Sequence, residues 1–196
     1  LEEANKRLTQ EVDFKTKELH KVIEELEKKN SVLTFQATHD SLTSLANRLK
    51  LNDELDREIL RENRYKNGLC LIMLDIDKFK NINDTYGHKV GDDVIIALSN
   101  KLLNIQRKSD LVCRYGGEEF IILLIDTNIS HAKQMVEKVR LKIEQYKFKE
   151  IDTLTCSFGI TQFKNEDTKE GIIKRVDEAL YKAKHNGKNQ VIKYEK

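Results

Sequence analysis

The sequence predicts an α+β domain of ferredoxin-like topology, an antiparallel sheet with helices packed on one face, preceded by an N-terminal coiled-coil helix. Three observations predict it. Hydrophobic patterns follow one another in the order β-α-β-β-α-β, the split βαβ arrangement. Two apolar runs, Leu111-Val112-Cys113 and Phe120 to Leu124, flank Gly116-Gly117 and read as a hairpin. Ahead of all this lie some 36 residues without proline or glycine, rich in Glu and Lys and apolar at heptad spacing.

Taken in order, the segment 1–37 is the expected coiled coil and 38–196 the globular domain. Leu1, Leu8 and Val22 are placed at a, and Val12, Leu19, Leu26 and Leu33 at d; Lys15 and Lys29 interrupt the a column and Asn5 the d column. A weak parallel dimer follows, its polar interruptions lowering stability while fixing register. Asp40 or Ser41 serves as a helix cap before Leu42, Leu45, Leu49 and Leu55. Leu69 to Ile76 is an apolar run carrying Asp75, with Asp77 just beyond, a buried strand that delivers acid at its C-terminal end. A helix from about Asp92 to Ile105 precedes the hairpin. Then come a helix from about Ser130 to Tyr146, a strand around Leu154 to Ile160, a helix from about Thr168 to Lys184 and a short strand near Val191.

A formal charge of +2 gives no sign of a nucleic-acid partner. No stretch approaches the roughly 18 apolar residues of a membrane span, so no membrane contact is expected from this segment, although an anchor could lie upstream. Cys70, Cys113 and Cys156 each fall in or beside an apolar run, which predicts buried free thiols and a reducing, cytoplasmic setting. The chain opens with Leu1 in mid-pattern, as a fragment of a longer protein would.

The chemistry is expected at the acids. In the predicted topology Asp75 approaches the hairpin tip, where Glu118 and Glu119 stand. Carboxylates brought together repel unless a cation lies between them. Oxygen ligands favour Mg²⁺, with Mn²⁺ as a substitute, and Mg²⁺ is held by one or two carboxylates together with substrate phosphates, which points to phosphoryl transfer. Adjacent strand residues face opposite ways, so Glu118 and Glu119 are expected to differ in role. The competing reading is that these acids merely solvate strand ends.

The run Arg114-Tyr115-Gly116-Gly117-Glu118-Glu119-Phe120, with LDIDKFKNINDTYGHKVGDD at 74–93, HDSLTSLANR at 39–48, SFGI at 157–160 and ALYKAKHNGKN at 179–189, resembles the GGDEF-domain diguanylate cyclases. The resemblance spans about His39 to Tyr194. It implies a palm-like fold related to nucleotidyl cyclases and the condensation of two GTP, one on each of two domains, to cyclic di-GMP and two pyrophosphates. It further implies that Asp75, the carbonyl of Ile76 and Glu118 hold Mg²⁺, with Glu118 also the base for the ribose 3′-hydroxyl; Glu119, expected on the other side of the strand, would support the tip or touch the metal only indirectly. Lys78 and Phe79 would cradle phosphate through their amides, joined by Lys184 and Lys188, the second often arginine in the family. Asn83 and Asp92, with His88 beside them, would read guanine; a carboxylate accepts from its N1 and exocyclic amino groups, which argues for GTP over ATP. On geometry alone Asp92 reads as a helix cap. Gly116 and Gly117 would leave room for the nucleotide.

Arg107-Lys108-Ser109-Asp110 matches the RxxD product-inhibition site of the family, with Arg107 gripping phosphate and Asp110 reading guanine. Lys138 stands where the family more often has arginine. A homodimer formed by the coiled coil would bring two GTP sites face to face. The alternatives are a catalytically silent domain that binds cyclic di-GMP and a cyclase making an adenine-containing dinucleotide.

Overall fold

The computed structural model describes residues 2–165 and 167–195, in two compact units divided after Thr38. The first is one helix, α1 (Glu2–Thr38). Among its described side chains Val12, Leu19, Val22, Leu26 and Leu33 of the expected seam are all exposed. Leu1 and the Leu8 side chain lie outside the described residues. In a heptad the step from a to d is three residues and from d to a four, so the predicted labels exchange. The column of Val12, Leu19, Leu26 and Leu33 is a, and that of Val22, Lys15 and Lys29 is d.

The second unit contains α2 (Arg48–Tyr65), β1 (Leu69–Ile76), α3 (Phe79–Tyr86), α4 (His88–Leu103), β2 (Leu111–Gly116), β3 (Glu119–Ile125), α5 (Ile129–Glu144), β4 (Cys156–Gln162), α6 (Lys169–His185) and β5 (Val191–Lys193). Its sheet runs β2-β3-β1-β4-β5, antiparallel except for the parallel pair β4 and β5. The split βαβ order is as expected; β5 adds a parallel edge.

The helices cover both faces rather than one. Cys70, Ile72 and Leu74 of β1 pack with Leu98 of α4 and Val136 of α5. Leu69, Leu71 and Met73 pack with Leu55 of α2 and Val176 of α6. A strand buried on both faces loses its polar alternation, which is why β1 reads as an unbroken apolar run.

Caps set the helix starts. Asn47 Oδ1 accepts the Lys50 N–H at 3.1 Å, so α2 begins eight residues after the Asp40 once expected to cap it. Asn128 and Thr168 cap α5 and α6 in the same way. The three cysteines are buried and free, and burial pushes the Cys70 and Cys113 thiols up to about 12. No helix among the described residues is long and apolar enough to cross a membrane.

Gly159 on β4 marks the closest approach of sheet and helix. A β-carbon there would collide with the backbone of α6 at Val176 and Leu180. Gly159→Ala is expected to lower stability by about 3 kcal/mol through overpacking, read as a shift in the urea midpoint.

Candidate active site

The site lies where the C-terminal end of β1 meets the hairpin turn and the last turn of α6. Asp75 is buried and pairs across the ladder with Glu119. Paired residues on antiparallel strands share a face, and this one is the α2–α6 face, to which Met73 and Ile121 also belong. Glu118 lies in the two-residue turn between Gly116 and Glu119, which pair with each other. The expected opposition of two adjacent strand residues therefore does not apply: only Glu119 is on the strand. Positive φ falls on Gly117 alone, at 51°, not on both glycines. Nothing stands within 4 Å of a β-carbon placed at Gly116 or Gly117, which leaves the turn open on its outer side.

Burial pushes the Asp75 carboxyl up to about 6, and Glu118 and Glu119 add to this; Lys184, whose ammonium donates to Asp75 at 2.7 Å, acts in the opposite direction. Both glutamates thus act electrostatically on Asp75, and among the described residues the cation on its carboxylate is a lysine. Among the described residues no group of three His, Cys, Asp or Glu is already gathered as a ligand set. Mg²⁺ does not need one: one or two hard carboxylates, a carbonyl such as that of Ile76, and substrate phosphates suffice, and the donors present fit that pattern.

Asp77 is also buried, but it is spent on structure. It accepts hydrogen bonds from Ser157 Oγ at 2.6 Å, Thr155 Oγ1 at 2.8 Å and the backbone N–H of Asn189 at 3.0 Å. Lys78, left-handed at φ 58°, turns the chain from β1 into α3. Lys188, at φ 65°, lies beyond the end of α6, in the segment that extends it. Lys78 and Lys188 border a cleft of about 430 Å³ that Asn81, Thr85 and Thr155 also line.

The residues expected to read guanine are on α3 and α4. Asn83 Oδ1 is buried without a partner and lies against Gly91, where a β-carbon would strike it. Asp92 follows Gly91 in the second turn of α4 and is exposed, so it is not a helix cap. His88 opens α4 and is exposed. The short helix α3 was not expected from the sequence; Phe79 and Ile82, three apart, are its apolar signal.

Before β2, Arg107 is exposed while Asp110 is buried. Asp110 accepts the N–H of Arg107 at 3.0 Å and that of Ile125 at 3.4 Å, so its carboxylate builds the loop that presents Arg107. Lys138 on α5 is exposed.

A family model described as the diguanylate cyclase GGDEF domain matches residues 37–190, and the chain belongs to that family. Diguanylate cyclase DgcP of Pseudomonas aeruginosa is 40% identical over 159 residues, 80% of this chain and 24% of its own length. Diguanylate cyclase DgcM of Escherichia coli is 36% identical over 160 residues, 82% of this chain and 39% of its own length. The chain thus spans well under half the length of these curated relatives. The crystal structure of the coiled coil and GGDEF domain of DgcB from Caulobacter crescentus in complex with c-di-GMP is similar with a TM-score of 0.86 at 29% identity, covering 93% of this chain and 98% of that one. The active GGEEF domain of a diguanylate cyclase from Vibrio cholerae gives a TM-score of 0.74 at 34% identity, covering 78% and 99%.

One contact that sequence reading missed holds the hairpin. Arg114 of β2 donates to both oxygens of Asp40, at 3.0 and 3.2 Å, and through Nε to the Gly117 carbonyl at 3.0 Å. Asp40 also accepts from the N–H and hydroxyl of Thr43. Burial raises its pKa, but these bonds and Arg114 outweigh burial and hold the carboxyl below its ordinary value. A pKa depressed by folding contributes stability above the unfolded value near 4 and loses it as pH falls through the folded value. Asp40→Asn is expected to destabilise by about 2 kcal/mol at pH 7. The gap to wild type in urea unfolding should narrow below about pH 4.

Proposed function

We propose that this domain is a diguanylate cyclase. Two GTP molecules, one on each of two copies, are condensed to cyclic di-GMP. Each 3′-oxygen forms a bond to the α-phosphorus of the other nucleotide, each α–β phosphoanhydride bond breaks, and two pyrophosphates and two protons leave. The observation that carries this reading is the placing of Asp75, Glu119 and Glu118 at one strand end, with a lysine paired to the buried member.

Asp75, the Ile76 carbonyl and Glu118 would hold Mg²⁺, or Mn²⁺ in its place, and the position of Glu119 opposite Asp75 adds it to that set. When bound, the metal would neutralise triphosphate charge and acidify the attacking hydroxyl. Glu118, in the turn and half-buried, would also take the hydroxyl proton, with the metal doing much of the acidification. The amides of Lys78 and Phe79 with Lys184 and Lys188 bind the phosphates. Asn83 and Asp92 bind guanine, with His88 lining the same end, and the unpartnered Asn83 Oδ1 is an acceptor in need of a donor. Cyclic di-GMP inhibits by binding at the Arg107–Asp110 loop, Arg107 gripping phosphate.

The exposed apolar column of α1 supports a parallel homodimer that raises the effective concentration of one site at the other. Removal of residues 1–36 should slow cyclic di-GMP formation far more in dilute than in concentrated protein. Equal loss at all concentrations would count against that role.

Incubation with Mg²⁺ and labelled GTP or ATP tests the activity. Cyclic di-GMP from GTP alone is expected, and tight cyclic di-GMP binding without turnover would favour a silent binding domain instead. Glu118→Gln and Asp75→Asn should each lose about 10²-fold or more in turnover. Undiminished turnover in Glu118→Gln would sink its assignment.

A further inference from the structure

The turn that carries Lys188 is held from two sides, by Asp77 and by α5. Lys188 and Asn189 are both left-handed, with φ of 65° and 45°, a conformation that costs non-glycine residues free energy and persists where neighbours fix it. On one side the Asn189 N–H is fixed by Asp77 at 3.0 Å, itself anchored by Thr155 and Ser157. On the other the Asn189 side chain is clamped by α5. Its Oδ1 accepts from Arg140 Nη1 at 2.8 Å and its Nδ2 donates to Glu144 Oε1 at 2.8 Å. An arginine can only donate and a carboxylate only accept, so the two contacts fix the amide in one orientation.

Arg140 is fully engaged in turn. Its Nη1 donates also to Glu144 Oε2 at 3.0 Å, and its Nε and Nη2 to Glu137 Oε1 at 3.0 and 2.7 Å. The guanidinium side chain is only 12% exposed, whereas its two acids are 44% and 39% exposed. A half-buried charge supplied with this many acceptors at one loop is an expensive device for a turn that needs only to end a helix.

We propose that Arg140 and Asn189, with Asp77, are positioning residues that hold Lys188 at the terminal phosphates of GTP. The inference rests on the phosphate-binding role proposed above for Lys188. The network spans β1, α5 and the turn, so a lysine beyond the last helix is placed as firmly as one on a rigid element. It predicts a specific defect. Loosening the clamp should weaken recognition of the triphosphate and leave recognition of guanine, on α3 and α4, unchanged.

Binding of 3′-deoxy-GTP with Mg²⁺ tests this, because without the 3′-hydroxyl no condensation can follow. Guanosine monophosphate, which lacks the terminal phosphates, is the comparison ligand. Arg140→Met keeps the buried stem and removes the guanidinium; Asn189→Gly keeps the left-handed backbone and the N–H to Asp77 and removes only the amide. Each is expected to raise the dissociation constant of 3′-deoxy-GTP about tenfold, with that of the monophosphate unchanged and Arg140→Lys recovering part of the loss. Lys188→Ala should show the same selective loss. Should Lys188→Ala leave 3′-deoxy-GTP binding intact, the phosphate reading of Lys188 falls and the positioning with it. Selective loss in Lys188→Ala but not in Asn189→Gly or Arg140→Met, or equal loss for both nucleotides in those two variants, would overturn the positioning alone. Asn189→Gly, at a surface turn, keeps the test open if Arg140→Met fails to fold.

Discussion

The register of β1 against β3 is the constraint on which the rest of the domain depends. Seven residue pairs, from Leu69 with Ile125 to Asp75 with Glu119, lock the two central strands. A slip of one residue would turn every side chain to the other face. In this sheet such a slip is not forbidden by polarity along the strands, because both faces are apolar and both are covered. It is the ends that discriminate. Only one register brings Asp75 opposite Glu119 and closes the turn on Gly117.

That register has a cost. Burial, with Glu118 and Glu119 adding to it, pushes the Asp75 carboxyl up to about 6, and like charges directly opposite on neighbouring strands repel. Lys184, one-third exposed, offsets part of this at 2.7 Å. The fold therefore concentrates acidic charge at one strand end. Two clamps keep that end from splaying apart: Asp40 to Arg114 behind the hairpin, and Arg140 to Asn189 to Asp77 behind the lysine turn.

Much of this was legible in the sequence. The apolar run ending in Asp75 and the glycine turn with its glutamates identified the two halves of the site, and the order of patterns gave the split βαβ topology. What failed did so for physical reasons. The relative places of Glu118 and Glu119 depend on which glycine takes positive φ, a choice of one residue that Gly-Gly leaves open. The helix α3 has eight residues, and its N-terminal cap, Lys78, is left-handed and makes no side-chain bond, so no cap signal announced it. Asp40 looked like a helix cap because its carboxylate does cap a turn, that of Thr43, while its second oxygen waits for an arginine 74 positions away. Long-range ion pairs have no local signature. The unbroken apolar run of β1 did carry the signal of helices on both faces, but the split βαβ order, which places helices on one face, outweighed it in the expectation.

The two ends of the hairpin are separated by the strands that join them. The loop that presents Arg107 precedes β2, and its Asp110 reaches the far end of β3 at Ile125. Glu118 stands at the opposite end, six strand residues away, or about 20 Å at some 3.4 Å per residue. A ligand held at Arg107 cannot touch a nucleotide at Glu118 on the same copy. Any influence on turnover has to pass along β2 and β3 or act on how two copies approach each other. The first route is stiff: Val112, Cys113 and the apolar residues of β3 are buried between layers of helices, and packed cores transmit displacement in discrete steps rather than bending. The second needs no change inside the domain. In the reaction proposed above two open turns would have to face each other, so holding the copies apart would stop it, and a loop remote from the chemistry is placed where it could do that.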